Sequence, residues 1–300
     1  MTNRWWVYQR ERFPLLSFGL LAAVLAYSVL CFSALAAGAS VPPDAQVFIP
    51  ATLSVFLFFA LMRIADEFKD CEDDRRHRPY RPVPRGLVKL EELGRIGAIA
   101  ALGQLLLAAW FDPEIVSLLF LAWLYLGLMT VEFFVPKWLK ARPFAYLVSH
   151  MPMVGFITLY ASAHYWLPGR GGPPSGLIWL IAASVFFGTM LEIARKIRAP
   201  IDEEPGVDTY TRVWGRRRAV LAWLSAFGLA GISALAAATL IGITPEFALG
   251  LGALSCAALL SSWQFLRRPA GQRARRIEAL SGVVTLAAYA GLGPLVFLLS

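Results

Sequence analysis

Nine apolar runs, most of them close to twenty residues long, recur along this chain at roughly 14–38, 47–66, 93–111, 115–135, 144–163, 177–197, 219–241, 246–266 and 277–299. About twenty residues of helix span a bilayer's hydrocarbon core of about 30 Å. Water is absent there, so each run must satisfy its own backbone N–H and C=O groups, and helix is the structure that does so. Composition agrees, with 58% apolar and only 16% charged residues over 300. The expected fold is therefore an all-α membrane protein with nine transmembrane helices, forming a single domain over 1–300 and integral to a cell membrane. The first run is too long for a cleavable signal peptide, and the small residues of "SALAAGAS" read as a helix end. Cys31, Cys71 and Cys256 are scattered without metal spacing, which implies neither a disulfide framework nor a zinc site.

Loop charge orients the bundle. Lys and Arg gather in the N-terminal segment (Arg4, Arg10, Arg12) and after the second, fourth, sixth and eighth runs, whereas the intervening loops carry one arginine, Arg170. The positive-inside rule then puts the N-terminus and the basic loops in the cytoplasm and the C-terminus outside. This asymmetry accounts for the net charge of +8, so a basic chain here is no sign of nucleic-acid binding.

The stretch "MRIADEFKDCEDDRRHRPYRPVPRG" closes the second run. Asp66, Asp70 and Asp74 stand at steps of four, so a helix continuing through them carries one acidic stripe about 12 Å long. Like charges repel along such a stripe, and a hard divalent cation offsets the repulsion; Mg²⁺ favours one or two carboxylates plus phosphate oxygens and water. The plain alternative is a solvated helix end whose acids pair with neighbouring arginines. A second polar loop, "LEIARKIRAPIDEEPGVDTYTRVWGRRR", again sets acids (Glu192, Asp202, Glu203, Glu204, Asp208) among bases (Arg195, Lys196, Arg198). Two such clusters on one side of the membrane suggest halves of a pocket for a polyanion.

These residues carry a resemblance. "DEFKDCEDD" resembles the first aspartate-rich motif of the UbiA superfamily of intramembrane prenyltransferases, NDxxDxxxD, with Asp66 in the Asn place, Glu67 in the first Asp place, and Asp70 and Asp74 matching outright. "RPVPRG" is similar to the family's RPxxxG tail, which places Arg81, Pro82 and Gly86. "RERFPL" resembles the basic entry to helix one, with Arg10 and Pro14 in register. "PKWLKARP" puts Lys140 at the expected lysine, and "PGVDTYTRVWG" is similar to the GxxT…G segment after the second motif. That second motif departs from DxxxD: Arg198 stands in the first Asp place and Asp202 in the second, with Glu192 as the alternative acid.

The resemblance implies a fold and a reaction. The bundle would be of the UbiA type, transferring a prenyl group from a prenyl diphosphate to a lipophilic, aromatic-type acceptor inside the membrane. Mg²⁺ would be held by Asp66, Asp70, Asp74, Asp202 and Glu192, with Arg10, Arg81, Lys140, Arg195 and Lys196 on the diphosphate. Ten Trp, nine Tyr and twenty Phe offer π-rich walls for an allylic cation. His150 reads as a structural histidine with a second possible use in orienting an acceptor hydroxyl. Rival readings are a polyprenyl-phosphate phosphoribosyltransferase, an inert relative, and a cation- or proton-coupled transporter. Against the transporter, the acids cluster at one face while the middles of the runs lack ionisable residues.

Overall fold

A computed structural model describes residues 3–169 and 171–299; Arg170 lies outside the described residues. Among these residues the secondary structure is fifteen α-helices and two short 3₁₀ turns, without strands. The chain divides into two compact units, Met1–Leu30 with Pro43–Gly172, and Cys31–Pro42 with Pro173–Ser300.

The first unit holds α1 (Arg4–Arg12), most of α2 (Leu15–Ala36), α3 (Ala45–Lys69), α4 (Cys71–His77), α5 (Leu90–Phe111), α6 (Ile115–Thr130), α7 (Pro136–Lys140), α8 (Pro143–His150) and α9 (Pro152–Trp166). Asp44 caps α3, its carboxylate accepting from the backbone N–H of Gln46 at 2.9 Å and of Val47 at 3.2 Å. Helix α3 packs on α5 and α9, and α6 on α9. In that core Gln104 is fully buried yet satisfied at both ends. It donates to the Ser54 carbonyl at 2.9 Å and accepts from Trp123 Nε1 at 2.8 Å. The second unit holds the end of α2 with α10 (Leu177–Arg195), α11 (Tyr210–Val213), α12 (Arg216–Leu240), α13 (Thr244–Arg267), α14 (Gly271–Gly291) and α15 (Pro294–Leu299). Helix α12 lays the buried face of Ala219, Ala226, Ala230, Ala234 and Ala237 into its bundle, the small side chains that let helices approach closely where lipid supplies no hydrophobic drive. Two buried hydrogen bonds tie this unit: Trp223 Nε1 donates to Ser281 Oγ at 2.9 Å, and Tyr289 O–H to Ser184 Oγ at 2.8 Å.

Among the described residues seven helices are long and apolar enough to cross a membrane; α8 and α9 count together as one of them. Of the nine expected spans the other two are α6, shorter at 16 residues, and α14, which opens on a basic first turn. Three boundaries differ from the sequence reading for local reasons. The fifth span is broken at Met151, because Pro152 has no N–H to return to Val148. The ninth breaks before Pro294 for the same cause. Helix α6 stops at Thr130 rather than near 135, because Glu132, Phe133 and Phe134 turn left-handed, with φ of 48°, 52° and 62°. Large apolar side chains such as Leu16, Leu106, Trp110 and Leu124 are uncovered by protein, as lipid-facing positions must be.

Candidate active site

The first acidic motif sits where α3 gives way to α4. Asp70 ends one helix and precedes the next at φ −90°, ψ 2°, yet the line of backbone bonds is unbroken: Asp70 N–H donates to Asp66 O at 2.9 Å, and Asp74 N–H to Asp70 O at 2.8 Å. The expected stripe exists, and its three acids meet different surroundings. Asp66 lies between Arg63 at 3.7 Å and Lys69 at 3.5 Å. Among the described residues the Asp70 carboxylate enters no hydrogen bond or ion pair. Burial pushes its carboxyl above the ordinary range; Lys69 opposes this, and the charges of Asp66 and Asp74 add to it. Asp74 is buried, only 1% exposed, and held by Arg81 at 2.7 Å, Arg78 at 3.0 Å and Arg12 at 4.0 Å. Of the plain alternative, the pairing with arginines is met at Asp74 but the solvated position is corrected: Asp74 is buried, because α1 and the Arg78–Arg81 turn fold over it.

That turn explains the "RPVPRG" pattern. Arg81 reaches back to Asp74, and burial holds its guanidinium below its ordinary value, with the Asp74 hydrogen bond opposing. Gly86 sits at φ +75°, where a Cβ is strained, and the Gly86 N–H closes the turn on Val83 O at 3.0 Å. Arg10 is exposed on α1, whereas its neighbour Arg12 points in, donating to Glu67 Oε1 at 2.5 Å.

Beside the stripe lies a cleft of about 340 Å³ lined by Lys69, Thr130, Val131, Glu132, Pro136, Lys137 and Lys140. Lys69 Nζ donates to the Tyr146 hydroxyl at 2.6 Å. Lys140 Nζ donates to Asp73 Oδ2 at 2.7 Å, which holds the Asp73 carboxyl below its usual range and Lys140 above its own. Aromatic rings follow on: Tyr146 stacks on His150 at 3.9 Å, His150 meets Phe133 edge-on at 6.1 Å, and Phe133 meets Tyr125 at 5.7 Å. His150 Nδ1 also lies 2.8 Å from the Tyr146 carbonyl, a structural tie within α8.

In the second unit Glu192 pairs with Arg195 and with Lys196 Nζ at 3.0 Å, so these three predicted residues form one cluster. Asp202 is exposed in the 3₁₀ turn Pro200–Asp202, its carboxylate lying so close to Gly271 that a Cβ there would stand 2.3 Å from Oδ2. Arg198 pairs with Glu278 at 3.8 Å. The "GxxT…G" resemblance corresponds to a folded loop. Thr209 caps α11, accepting from Arg212 N at 3.1 Å and donating to the Glu203 carboxylate, while Gly206 takes φ +77° and Gly215 precedes α12.

Sequence reasoning missed Arg12, Lys69, Asp73 and Tyr146, whose partners lie up to 77 residues away, and Glu132. For a divalent cation the donor chemistry of the stripe fits. Asp66 and Asp70 offer only oxygens, and Asp70 is unpaired beside two like charges. Among the described residues no three His, Cys, Asp or Glu side chains converge as a complete metal cage.

The UbiA prenyltransferase family model matches residues 25–283. The chain belongs to the UbiA prenyltransferase family. By sequence, none of the curated proteins matches it. Solved structures share the UbiA fold at low identity. An apo UbiA homolog from Aeropyrum pernix K1 superposes with a TM-score of 0.67 at 13% identity, covering 89% of this chain and 95% of that one. A digeranylgeranylglyceryl phosphate synthase in membranes gives 0.62 at 16%, covering 96% and 98%. A UbiA homolog from Archaeoglobus fulgidus bound to DMAPP and Mg²⁺ gives 0.54 at 14%, covering 92% and 97%. Within this UbiA protein, Gly86, Thr209 and Gly206 shape backbone, Asp74 and Arg81 lock a turn, Asp66 and Asp70 stand where α3 meets α4, and Lys69 and Lys140 line the cleft.

Proposed function

We propose that this UbiA protein transfers a prenyl group from a prenyl diphosphate to a lipophilic, aromatic-type acceptor within the membrane, with Mg²⁺ as cofactor. One observation carries the reading: an unpaired carboxylate, Asp70, stands beside Lys69, which lines a cleft with Lys140. The Archaeoglobus fulgidus homologs bound to DMAPP or GPP with Mg²⁺ support it by analogy of fold.

Asp66 and Asp70 would hold the cation, with Asp74 kept beside them by Arg78 and Arg81. Mg²⁺, when bound, supplies charge neutralisation on the diphosphate oxygens. Lys140 then takes the negative charge that grows on the leaving diphosphate, exchanging Asp73 for it. The rings of Tyr146, His150 and Phe133 present π faces and edges toward an allylic cation. Arg81 acts as a positioning residue through Asp74. Arg10, Glu192, Arg195, Lys196 and Asp202 remain proposed contributors on the strength of their sequence motifs. The basic loops and the N-terminus face the cytoplasm by the charge rule.

Equilibrium binding of a non-ionisable geranyl thiodiphosphate to purified protein in lipid nanodiscs tests this reading. Binding should require Mg²⁺ and weaken at least tenfold in Asp70→Asn. Equal binding with and without Mg²⁺ would contradict it.

A further inference from the structure

Glu132 is the one acid lining the cleft, and it is 95% covered by protein, with 5% exposed. Among the described residues no hydrogen bond or ion pair reaches its carboxylate, although Lys69, Lys137 and Lys140 line the same space. A buried charge is ordinarily paired, because leaving it desolvated and alone is costly. A purely structural glutamate at this position would close on one of the three lysines. Instead Lys69 is spent on Tyr146 and Asp66, and Lys140 on Asp73.

The backbone shows how the side chain reaches the cleft. Three successive residues without a glycine adopt positive φ, closed by Phe134 N–H to Val131 O and Val135 N–H to Glu132 O, both at 3.0 Å. The turn separates its side chains: Phe133 joins Tyr125 and His150, Phe134 is left 77% exposed, and Glu132 faces the lysines. Such backbone is retained only where surrounding structure enforces it. Burial raises the Glu132 carboxyl above the ordinary range, against the pull of Lys69 and Lys140 and with the push of Asp70 and Asp73.

A ligand group that fills this space must offer negative charge to the lysines and a hydrogen to Glu132. A hydroxyl that is losing its proton does both. We propose that Glu132 is the catalytic base of the transfer, taking the O–H proton of a hydroxyl-bearing lipophilic acceptor seated in the Lys69–Glu132–Lys140 cleft. This rests on the prenyl-transfer reading. In the step, the bond between the prenyl C1 and the diphosphate oxygen breaks and its electron pair leaves with diphosphate. The acceptor's oxygen bonds to C1. The acceptor's hydroxyl proton passes to the Glu132 carboxylate, leaving a neutral acid that later returns it to solvent. Lys69 stabilises the oxygen as it gains charge.

The experiment uses the full chain in nanodiscs with Mg²⁺, carbon-labelled geranyl diphosphate and a total membrane lipid extract as the source of hydroxyl acceptors. Two products are counted: labelled lipid, formed by transfer, and labelled geraniol, formed when water captures the cation. Glu132→Gln is nearly isosteric, and its thermal unfolding is compared with the wild type to establish folding. We expect Glu132→Gln to lower labelled lipid about a hundredfold while geraniol persists, and Glu132→Asp to restore part of the lipid product. Wild-type partition in Glu132→Gln would overturn the proposal. So would a proportional loss of both products in the folded variant, which would place Glu132 with the diphosphate or the fold instead. A wild type that gives geraniol alone with the extract present also overturns it, since the cleft then serves no hydroxyl. Release of neither product by the wild type sinks the underlying prenyl-transfer reading itself.

Discussion

Arg12 on α1 donates through Nε to Glu67 Oε1 on α3 at 2.5 Å, and its Nη2 lies 4.0 Å from Asp74 on α4. The Arg12 side chain is 10% exposed and that of Glu67 1%, so this pair locks the N-terminal helix over the acidic motif with little help from solvent. Removing one partner strands a buried charge. Arg12→Met or Glu67→Gln alone should each cost about 3–5 kcal/mol of stability. The double variant should cost clearly less than the sum, with a coupling of about 1 kcal/mol or more. Thermal unfolding in detergent reads the cycle, and additive losses would show that the pair does not act as one unit.

Asp70 and Asp74 should part company on mutation. Asp70→Ala removes an unpaired carboxylate, so turnover should vanish while stability moves by no more than about 1 kcal/mol. Asp74→Ala leaves Arg78 and Arg81 without their buried partner and should destabilise by about 3 kcal/mol or more before any effect on turnover is read. Two variants of equal stability would refute the distinction.

The Asp73–Lys140 pair gives a pH signature. Lys140 holds the folded Asp73 carboxyl below 3.8, so its contribution is present above that value and fades as pH falls through the lowered one. Lys140, held above 10.5 by the same bond, loses its contribution only as pH rises through its raised value. The difference in melting temperature between wild type and Lys140→Met should therefore be flat between these limits and shrink at acid pH. Both side chains are about half exposed, so the difference should be small and fall with added salt.

Orientation is testable with cysteines in a Cys71→Ser, Cys256→Ser background, since Cys256 is exposed and Cys71 partly so. A cysteine at Arg216 should resist a membrane-impermeant thiol reagent in intact cells, while one at Gly172 should react. The reverse pattern would turn the protein over and put the acidic motifs outside.

Much of this was legible in the sequence because it is local. Apolar runs near bilayer length become helices, and Asp66, Asp70 and Asp74 share a line because four residues make about one turn. The motif glycine Gly86 falls where the backbone needs positive φ. What escaped was set by distant partners. Asp74 reads as a wet acid until Arg12 folds over it from 62 positions away, a separation no short-range pattern encodes. Lys69 looks like one more loop cation until Tyr146 meets it. Glu132 reads as part of the apolar run 115–135, because "VEFF" has none of the Gly or Asn that signal a left-handed turn.

Release of diphosphate from labelled geranyl diphosphate by the purified protein in nanodiscs tests the account most directly. The account predicts release that depends on Mg²⁺, stops with EDTA, resumes on adding Mg²⁺ back, and is absent in Asp70→Ala. Absence of release under every condition, or release indifferent to both Mg²⁺ and Asp70, would contradict it.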